Sequence, residues 1–125
     1  MDTQLQILVV DDDTQMRQTI RAILEEENYS IAEACDGNEA SNHLYENHVD
    51  LIIVDIIMPD KDGIEVITEV REKYSGTKIL SLSGGGLIEA NDYLKTASAL
   101  GAHKTLVKPF KNNELIEKVH TLLNN

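Results

Sequence analysis

The stretch that decides the fold is Leu51-Ile52-Ile53-Val54, which runs into Asp55 and then into the turn-rich loop Met58-Pro59-Asp60-Lys61-Asp62-Gly63. Four consecutive apolar residues without alternation indicate a strand covered on both faces, because a strand with one solvent face alternates apolar and polar residues. Strands of this kind are typical of parallel sheets that lie between two layers of helices. The segment therefore predicts an α/β fold.

Short apolar runs alternate with helical patterns on both sides of this segment. Further strands are predicted at Gln6–Val10, Ser30–Ala34, Lys78–Leu82 and Thr105–Val107. Helices are predicted after Thr14 as N-cap, near Asn38–Glu46, from about Ile64 to Lys73, from Leu87 to Leu100, and around Leu115, Val119 and Leu122. Five βα units in series predict a five-stranded parallel sheet in a (βα)5 three-layer sandwich. With 125 residues, we expect one domain over residues 1–125.

The charge of the chain limits its partners. It carries 11 Lys and Arg against 22 Asp and Glu, a formal net charge of −11. Nucleic acids and anionic membranes require basic surface, so we expect no direct nucleic-acid binding. No apolar run approaches the ~18 residues of a membrane span, so no membrane insertion is expected. Cys35 is the single cysteine and no signal-peptide pattern opens the chain, which predicts a cytoplasmic location.

Charged and polar residues follow the carboxyl ends of four predicted strands. They are Asp11, Asp12 and Asp13 after the first strand, Asp55 at the end of the third, Ser83 after the fourth and Lys108 after the fifth. Ligands of open α/β sheets bind at this edge. Clustered carboxylates repel each other unless a cation lies among them, and their hard oxygen atoms suit Mg²⁺. Asp55 could then act as a nucleophile toward a phosphoryl group, whose oxygens Ser83 and Lys108 would contact.

At these segments the sequence resembles the response-regulator receiver domain, the CheY-like phosphoacceptor module of bacterial two-component signalling. The resemblance covers essentially the whole chain. It rests on four segments in order, ILVVDDD at 7–13, DLIIVDIIMPDKDG at 50–63, LSLSG at 80–84 and LVKPF at 106–110. It implies the flavodoxin-like strand order 2-1-3-4-5.

The resemblance also implies a role for each matching residue. Asp11 and Asp12 resemble the acidic pair that binds Mg²⁺, Asp55 the phosphorylated aspartate, and the backbone carbonyl of Ile57 the remaining protein ligand of the metal. Around the phosphoryl group, the implied residues are Ser83 as the hydroxyl that moves on activation, Gly84 as the small residue that leaves the site open, Lys108 as the ammonium, and Pro109 after a cis peptide bond.

Two features depart from the family pattern. Thr105 stands where the family carries its switch aromatic, so an inward-rotating ring cannot couple the site to the signalling face. Gly84-Gly85-Gly86 lengthens the following loop. In related domains, the residues two beyond the aspartate and two beyond the Ser or Thr influence the hydrolytic water. Here they are Ile57 and Gly85, which predicts slow self-dephosphorylation.

The resemblance implies that a histidine kinase or a histidine phosphotransfer protein donates a phosphoryl group to Asp55. The phosphorylated form would bind an unknown downstream target protein through a face within residues 89–123. Such a chain promotes only its own phosphorylation and dephosphorylation and is not an enzyme with a separate substrate. One alternative is an Asp-nucleophile phosphatase, but such an enzyme needs an acid/base aspartate at the position of Ile57. The other alternative is a phosphorylation-independent interaction module, which only Thr105 favours.

Overall fold

The computed structural model describes residues 4–58, 62–84, 95, 98 and 101–124. Five strands and four helices have their bounds within this part of the chain, and residues 95 and 98 are also helical. The strands are β1 (Gln6–Val10), β2 (Ser30–Ala34), β3 (Leu51–Asp55), β4 (Lys78–Ser83) and β5 (Lys104–Val107). The helices are α1 (Thr14–Glu26), α2 (Gly37–Glu46), α3 (Gly63–Lys73) and α4 (Asn112–Leu123). None of these helices is long and apolar enough to reach across a membrane.

The five strands form one parallel sheet in the order β2-β1-β3-β4-β5, which confirms the predicted fold class and strand order. Strand β3 is central, because its residues Leu51–Val54 pair with both β1 and β4. Every residue of β3 is buried. The unbroken apolar run of this strand follows from its two strand neighbours and two covered faces.

Two apolar layers lie on opposite faces of the sheet. Helices α1 and α4 supply one of them with Ile20, Leu24, Leu115, Val119 and Leu122. Helices α2 and α3 supply the other with Ala40, Leu44, Val66, Ile67 and Val70. Strand β3 serves both layers, since Leu51 and Ile53 belong to the first and Ile52 and Val54 to the second. The predicted three-layer sandwich is confirmed.

The start of α1 corrects one prediction. The N-cap is Asp13 and not Thr14, which is the first helical residue. Oδ1 of Asp13 accepts hydrogen bonds from the backbone N–H groups of Gln15 at 3.0 Å and Met16 at 3.3 Å. The physical reason is that a carboxylate on extended backbone accepts amide protons more strongly than a hydroxyl does.

Other element ends differ from the predicted ones by a residue. Helix α3 begins at Gly63, β4 extends to Ser83 and β5 begins at Lys104. The predicted helix from Leu87 to Leu100 falls on residues of which only 95 and 98, both helical, are described. Gly85 and Gly86 also lie outside the described residues.

Candidate functional site

Three aspartates meet at the carboxyl edge of the sheet. Asp11 directly follows β1, and Asp55 is the last residue of β3. The two strands are neighbours in register, with Val10 opposite Val54, so both carboxylates emerge side by side. Asp11, Asp12 and Asp55 each place an oxygen within 4.8 Å of the others. The convergence that the sequence predicts from strand ends is therefore present.

The three carboxylates differ in their exposure to solvent. Asp11 is 0% and Asp55 7% exposed, whereas Asp12 is exposed. Burial raises the pKa of Asp55 above its ordinary value, the nearby Lys108 ammonium opposes this, and the charge of Asp11 adds to it. Asp55 is thus a poorly solvated carboxylate, and a poorly solvated anion gains more than an exposed one from a cation or a phosphoryl group that reaches it.

Lys108 reaches into this cluster from the end of β5. Its Nζ lies 2.6 Å from Oδ2 of Asp11 and 3.3 Å from Oδ2 of Asp55. Burial lowers the pKa of Lys108, but the hydrogen bond to Asp11 and the charge of Asp55 outweigh it and raise that pKa. The backbone N–H of Lys108 donates to the carbonyl of Ser83 at 2.7 Å, and the Lys108–Pro109 peptide bond is cis, as predicted.

The two oxygens of each buried carboxylate have different partners, one in the turn that follows the aspartate and the other on Lys108. Oδ1 of Asp11 accepts the N–H of Asp13 at 2.9 Å, and Oδ1 of Asp55 accepts the N–H of Ile57 at 3.1 Å. The Oδ2 atom of each faces Lys108. These turns hold the carboxylate planes, so that both Oδ2 atoms point to one place.

Ser83 ends β4 beside this cluster and is fully buried. Neither its Oγ nor that of the buried Ser81 has a hydrogen-bond partner within the described part of the chain. A buried hydroxyl without a partner is costly and needs an explanation. Ser83 ends β4, where its hydroxyl could donate to a group that enters the site.

The donor set fits a divalent cation of the Mg²⁺ type. Carboxylate oxygens are hard ligands, and Mg²⁺ in proteins is held by one or two of them together with water and substrate oxygens. Asp12 is exposed and open to solvent, which leaves room for the waters that such an ion retains. Asp11, Asp12 and Asp55 could hold this ion, and Ile57 lies at the same edge with its N–H bonded to Asp55.

Two glycines, Gly63 and Gly84, lie next to the site, and an added Cβ would have a different effect at each of them. A Cβ on Gly63 would collide with the backbone of Asp55 and Ile56, because the start of α3 lies directly against the end of β3. A Cβ on Gly84 would stand 3.4 Å from Cδ of Lys108, an ordinary contact, so this position tolerates a small side chain. Without a side chain, Gly84 leaves the space beside the methylene groups of Lys108 open.

Thr105 and Asp13 lie outside the group of Asp11, Asp12 and Asp55, whereas Arg17 adjoins it. Thr105 lies within β5 in register with Ser81 and not beside the carboxylates. Asp13 caps α1. One neighbour of the site is absent from the sequence predictions, namely Arg17, whose Nη1 donates to the carbonyl of Asp11 at 2.6 Å. The sequence does contain one indication of a special role for Arg17. It is a cation in the first turn of a helix, where the helix dipole disfavours positive charge.

Comparisons with known proteins agree with this geometry. The chain matches the family described as "Response regulator receiver domain" over residues 7–120. It is 42% identical over 120 residues to the transcriptional regulatory protein ResD of Bacillus subtilis, covering 96% of this chain and 48% of that protein. It is 36% identical over 118 residues to the transcriptional regulatory protein SrrA of Staphylococcus aureus, covering 94% and 47%.

A solved structure shares the fold over nearly the full length of both chains. It is a CheY-like response regulator receiver domain protein from Methanospirillum hungatei, with a TM-score of 0.88, 27% identity, and coverage of 98% of this chain and 95% of that one. The chain spans about half the length of ResD and SrrA. The family match, the parallel order of the sheet and the aspartate cluster lead to one conclusion: the chain belongs to the response regulator receiver domain family of two-component signalling.

Proposed function

We propose that Asp55 accepts a phosphoryl group from a histidine kinase or a histidine phosphotransfer protein, in a reaction that requires Mg²⁺. The observation that carries this proposal is the meeting of the buried Asp55 carboxylate with two further aspartates within 4.8 Å and with the Lys108 ammonium at 3.3 Å. This set combines a nucleophile, a ligand set for a cation and a positive charge for phosphoryl oxygens.

The reacting atom is Oδ2 of Asp55, since Oδ1 is held by the N–H of Ile57. Oδ2 forms a bond to phosphorus while the phosphorus–nitrogen bond of the phosphohistidine breaks, and the departing imidazole nitrogen takes up a proton. The product is an acyl phosphate on Asp55. Asp11, Asp12, Asp55 and the backbone carbonyl of Ile57 would hold Mg²⁺, whose charge would offset the negative charge that otherwise repels the donor.

Two side chains stabilise the transferred group. The Lys108 ammonium, which lies against Oδ2 of Asp55, is placed to contact a phosphoryl oxygen as a point charge. The Ser83 hydroxyl is buried at the end of β4 and donates to a second oxygen, which gives this hydroxyl a hydrogen bond that no described residue supplies. Phosphorylation thereby changes the contacts of β4 and β5 and shifts the chain between two conformations.

The chain acts as a phosphoacceptor and not as an enzyme on a separate substrate. A phosphatase with an aspartate nucleophile requires an acid/base group near the leaving oxygen. Ile57, two residues beyond Asp55, is 46% exposed and aliphatic, so it can neither donate a proton nor orient a water molecule. The acyl phosphate is therefore long-lived, and a polar side chain in the variant Ile57→Asn shortens its lifetime.

Membership of the receiver domain family supports the partners proposed here. The donor is a histidine kinase or a phosphotransfer protein in the cytoplasm, and the phosphorylated form binds a downstream target protein. ResD and SrrA are named as transcriptional regulatory proteins and are about twice as long as the stretch that they share with this chain. The proposal concerns the phosphoacceptor part that this chain matches.

The test is the intact mass of the protein after incubation with acetyl phosphate, with and without Mg²⁺, beside the variant Asp55→Asn. A phosphoryl adduct that needs Mg²⁺ and is lost in the variant supports the proposal. If the folded protein binds Mg²⁺ but forms no adduct, purified histidine kinases provide the second donor. Absence of an adduct with both donors would leave a phosphorylation-independent interaction module.

A further inference from the structure

The guanidinium group of Arg17 lies behind the aspartate turn and is largely enclosed, with the side chain 13% exposed. Its Nη1 donates to the backbone carbonyl of Asp11 at 2.6 Å, and its Nε donates to Oε1 of Glu33 at 3.0 Å. Its Nη2 donates to the hydroxyl of Thr14 at 3.3 Å. One side chain therefore joins the end of β1, the start of α1 and the edge strand β2.

The bond to the Asp11 carbonyl constrains the next residue. A peptide unit is planar, so fixing the oxygen of Asp11 also fixes the nitrogen and Cα of Asp12. The N–H of Asp11 is held from the other direction by the carbonyl of Ala34 at 3.2 Å. Both backbone groups of Asp11 are therefore hydrogen-bonded, one to β2 and one to Arg17. Together these two bonds set the direction in which the Asp12 side chain points.

Glu33 holds the guanidinium group in place and balances its charge. Its Oε1 pairs with Arg17, and its Oε2 pairs with Nη1 of Arg21 at 2.6 Å. Glu33 stands on β2 opposite Val9, so it is anchored in the sheet. Because Arg17 is paired with a carboxylate, its effect on the aspartates comes from its hydrogen bond more than from its charge.

The position of Arg17 along α1 supports a role at the turn. It is the fourth residue of the helix, whose positive dipole end disfavours a cation. The helix dipole therefore does not stabilise an arginine at this position. The contacts of Arg17 with Asp11 and Glu33 must offset that unfavourable interaction. The Arg21 side chain, one turn later, bonds to Glu33, Glu25 and the carbonyl of Ile31 but not to the aspartate turn.

We propose that Arg17 is a positioning residue of the phosphoacceptor site. It holds the Asp11–Asp12 peptide so that the exposed Asp12 carboxylate is presented, together with Asp11 and Asp55, to one cation. The inference rests on the proposed function, because the cation is the Mg²⁺ that phosphoryl transfer requires. A group that orients a metal ligand in this way affects metal affinity first and the chemical step second.

The experiment compares Arg17→Gln and Arg17→Lys with the matched control Arg21→Gln, which removes the other partner of Glu33 and leaves the Asp11 carbonyl bonded. Isothermal titration measures Mg²⁺ binding, and acetyl phosphate at saturating Mg²⁺ measures the rate of phosphorylation. We expect both Arg17 variants to bind Mg²⁺ about tenfold more weakly. The control stays within about twofold of the wild type, and the rates at saturating Mg²⁺ change far less than the affinity.

A second readout does not depend on the metal. In the metal-free protein, the N–H of Asp11 donates to the carbonyl of Ala34 on β2 and the N–H of Asp13 donates to Oδ1 of Asp11. These two amide protons should exchange faster with solvent in the Arg17 variants than in the Arg21→Gln control, whereas the amides of β3 do not change. Wild-type Mg²⁺ affinity in Arg17→Gln, or equal losses in Arg17→Gln and Arg21→Gln, would overturn the inference.

This metal-free comparison separates the two proposals. If the wild type binds no Mg²⁺ at all, the proposed function fails, and the amide exchange alone decides whether Arg17 orders the turn. Should Arg17→Gln not fold, as circular dichroism reports, the charge-conserving Arg17→Lys decides, because its single ammonium cannot bond Asp11 and Glu33 together.

Discussion

The ammonium nitrogen of Lys108 lies closer to Oδ2 of Asp11, at 2.6 Å, than to Oδ2 of the acceptor Asp55, at 3.3 Å. Asp11 is fully buried, and a buried carboxylate without a counter-charge is strongly unfavourable. Lys108 provides that counter-charge in the metal-free protein. A cation that binds Asp11 and Asp55 must therefore share both carboxylates with Lys108.

Lys108→Met is expected to destabilise the metal-free protein and to make it depend on Mg²⁺. Removal of one partner from a buried charge cluster costs about 3 kcal/mol of unfolding free energy, because the two carboxylates are left without compensation. Mg²⁺ should recover part of this loss, since it replaces the missing positive charge and no longer competes with the ammonium. Urea denaturation with and without Mg²⁺ measures both effects.

Lys104→Met, at the start of the same strand, is the control for this prediction. It changes a lysine of β5 far from the aspartates and should leave the Mg²⁺ dependence of unfolding as in the wild type. If Mg²⁺ raised the unfolding free energy of Lys108→Met and of the wild type equally, Lys108 and the cation would not compete for the same carboxylates.

Asp55→Asn is expected to raise the unfolding free energy of the metal-free protein at neutral pH. Burial raises the pKa of Asp55 in the folded protein, and Lys108 offsets this only in part. The folded state thus holds the proton more tightly than the unfolded state does, so stability falls as the pH rises above the ordinary aspartate pKa of ~3.9. Asparagine does not ionise. Its advantage should grow with pH through this window and vanish below it.

Chemical denaturation over a pH series without divalent cations measures this difference. A variant that is less stable than the wild type at pH 7 would mean that the ion pair with Lys108 outweighs the burial of Asp55. The pH dependence of the difference, and not its value at one pH, is the result that identifies the ionisation of Asp55.

Ser81→Ala and Ser83→Ala form a matched pair. Both hydroxyls are buried without a hydrogen-bond partner in the part of the chain that the structure describes. Each alanine should therefore raise the unfolding free energy by about 1 kcal/mol. Only Ser83→Ala should slow phosphorylation by acetyl phosphate, because Ser83 lies at the strand end and Ser81 lies within β4. Equal phosphorylation rates in the two variants would remove Ser83 from the proposed site.

His103 is expected to make stability depend on pH near neutrality. Its Nδ1 accepts the backbone N–H of Ile79 at 3.0 Å, a bond that requires an unprotonated nitrogen. Burial lowers the pKa of His103, and the charges of Lys78 and Arg71 lower it further. The unfolded state then binds the proton more readily, so stability is complete above the ordinary histidine pKa of ~6.5 and is lost as the pH falls below it.

The variant His103→Asn separates this titration from the hydrogen bond. The asparagine oxygen accepts the same N–H but does not titrate. Thermal unfolding between pH 5 and pH 7 should show a decline in the wild type that is smaller in the variant. Parallel curves for the two proteins would show that other groups account for the decline.

Several features of the site follow from local sequence. The unbroken apolar run of β3 predicts a central parallel strand, because such a strand has no solvent face. The placement of Asp11, Asp55, Ser83 and Lys108 at one edge follows as well, since parallel strands with helical crossovers bring all their carboxyl ends together. The sequence could not choose Asp13 over Thr14 as the helix cap, because both satisfy the same local pattern and the choice depends on the backbone angles of the turn.

The sequence by itself determined the class of fold, the order of the elements and the residue types that meet at the carboxyl edge. Only the tertiary structure decided which atoms pair there: Lys108 with Asp11 more closely than with Asp55, Arg17 with the Asp11 carbonyl, and no described partner for the hydroxyl of Ser81. The reason is that strand periodicity is a local property of the chain. The pairing of Lys108 with Asp11 instead joins residues 97 positions apart, and its geometry is set by strand register and side-chain packing.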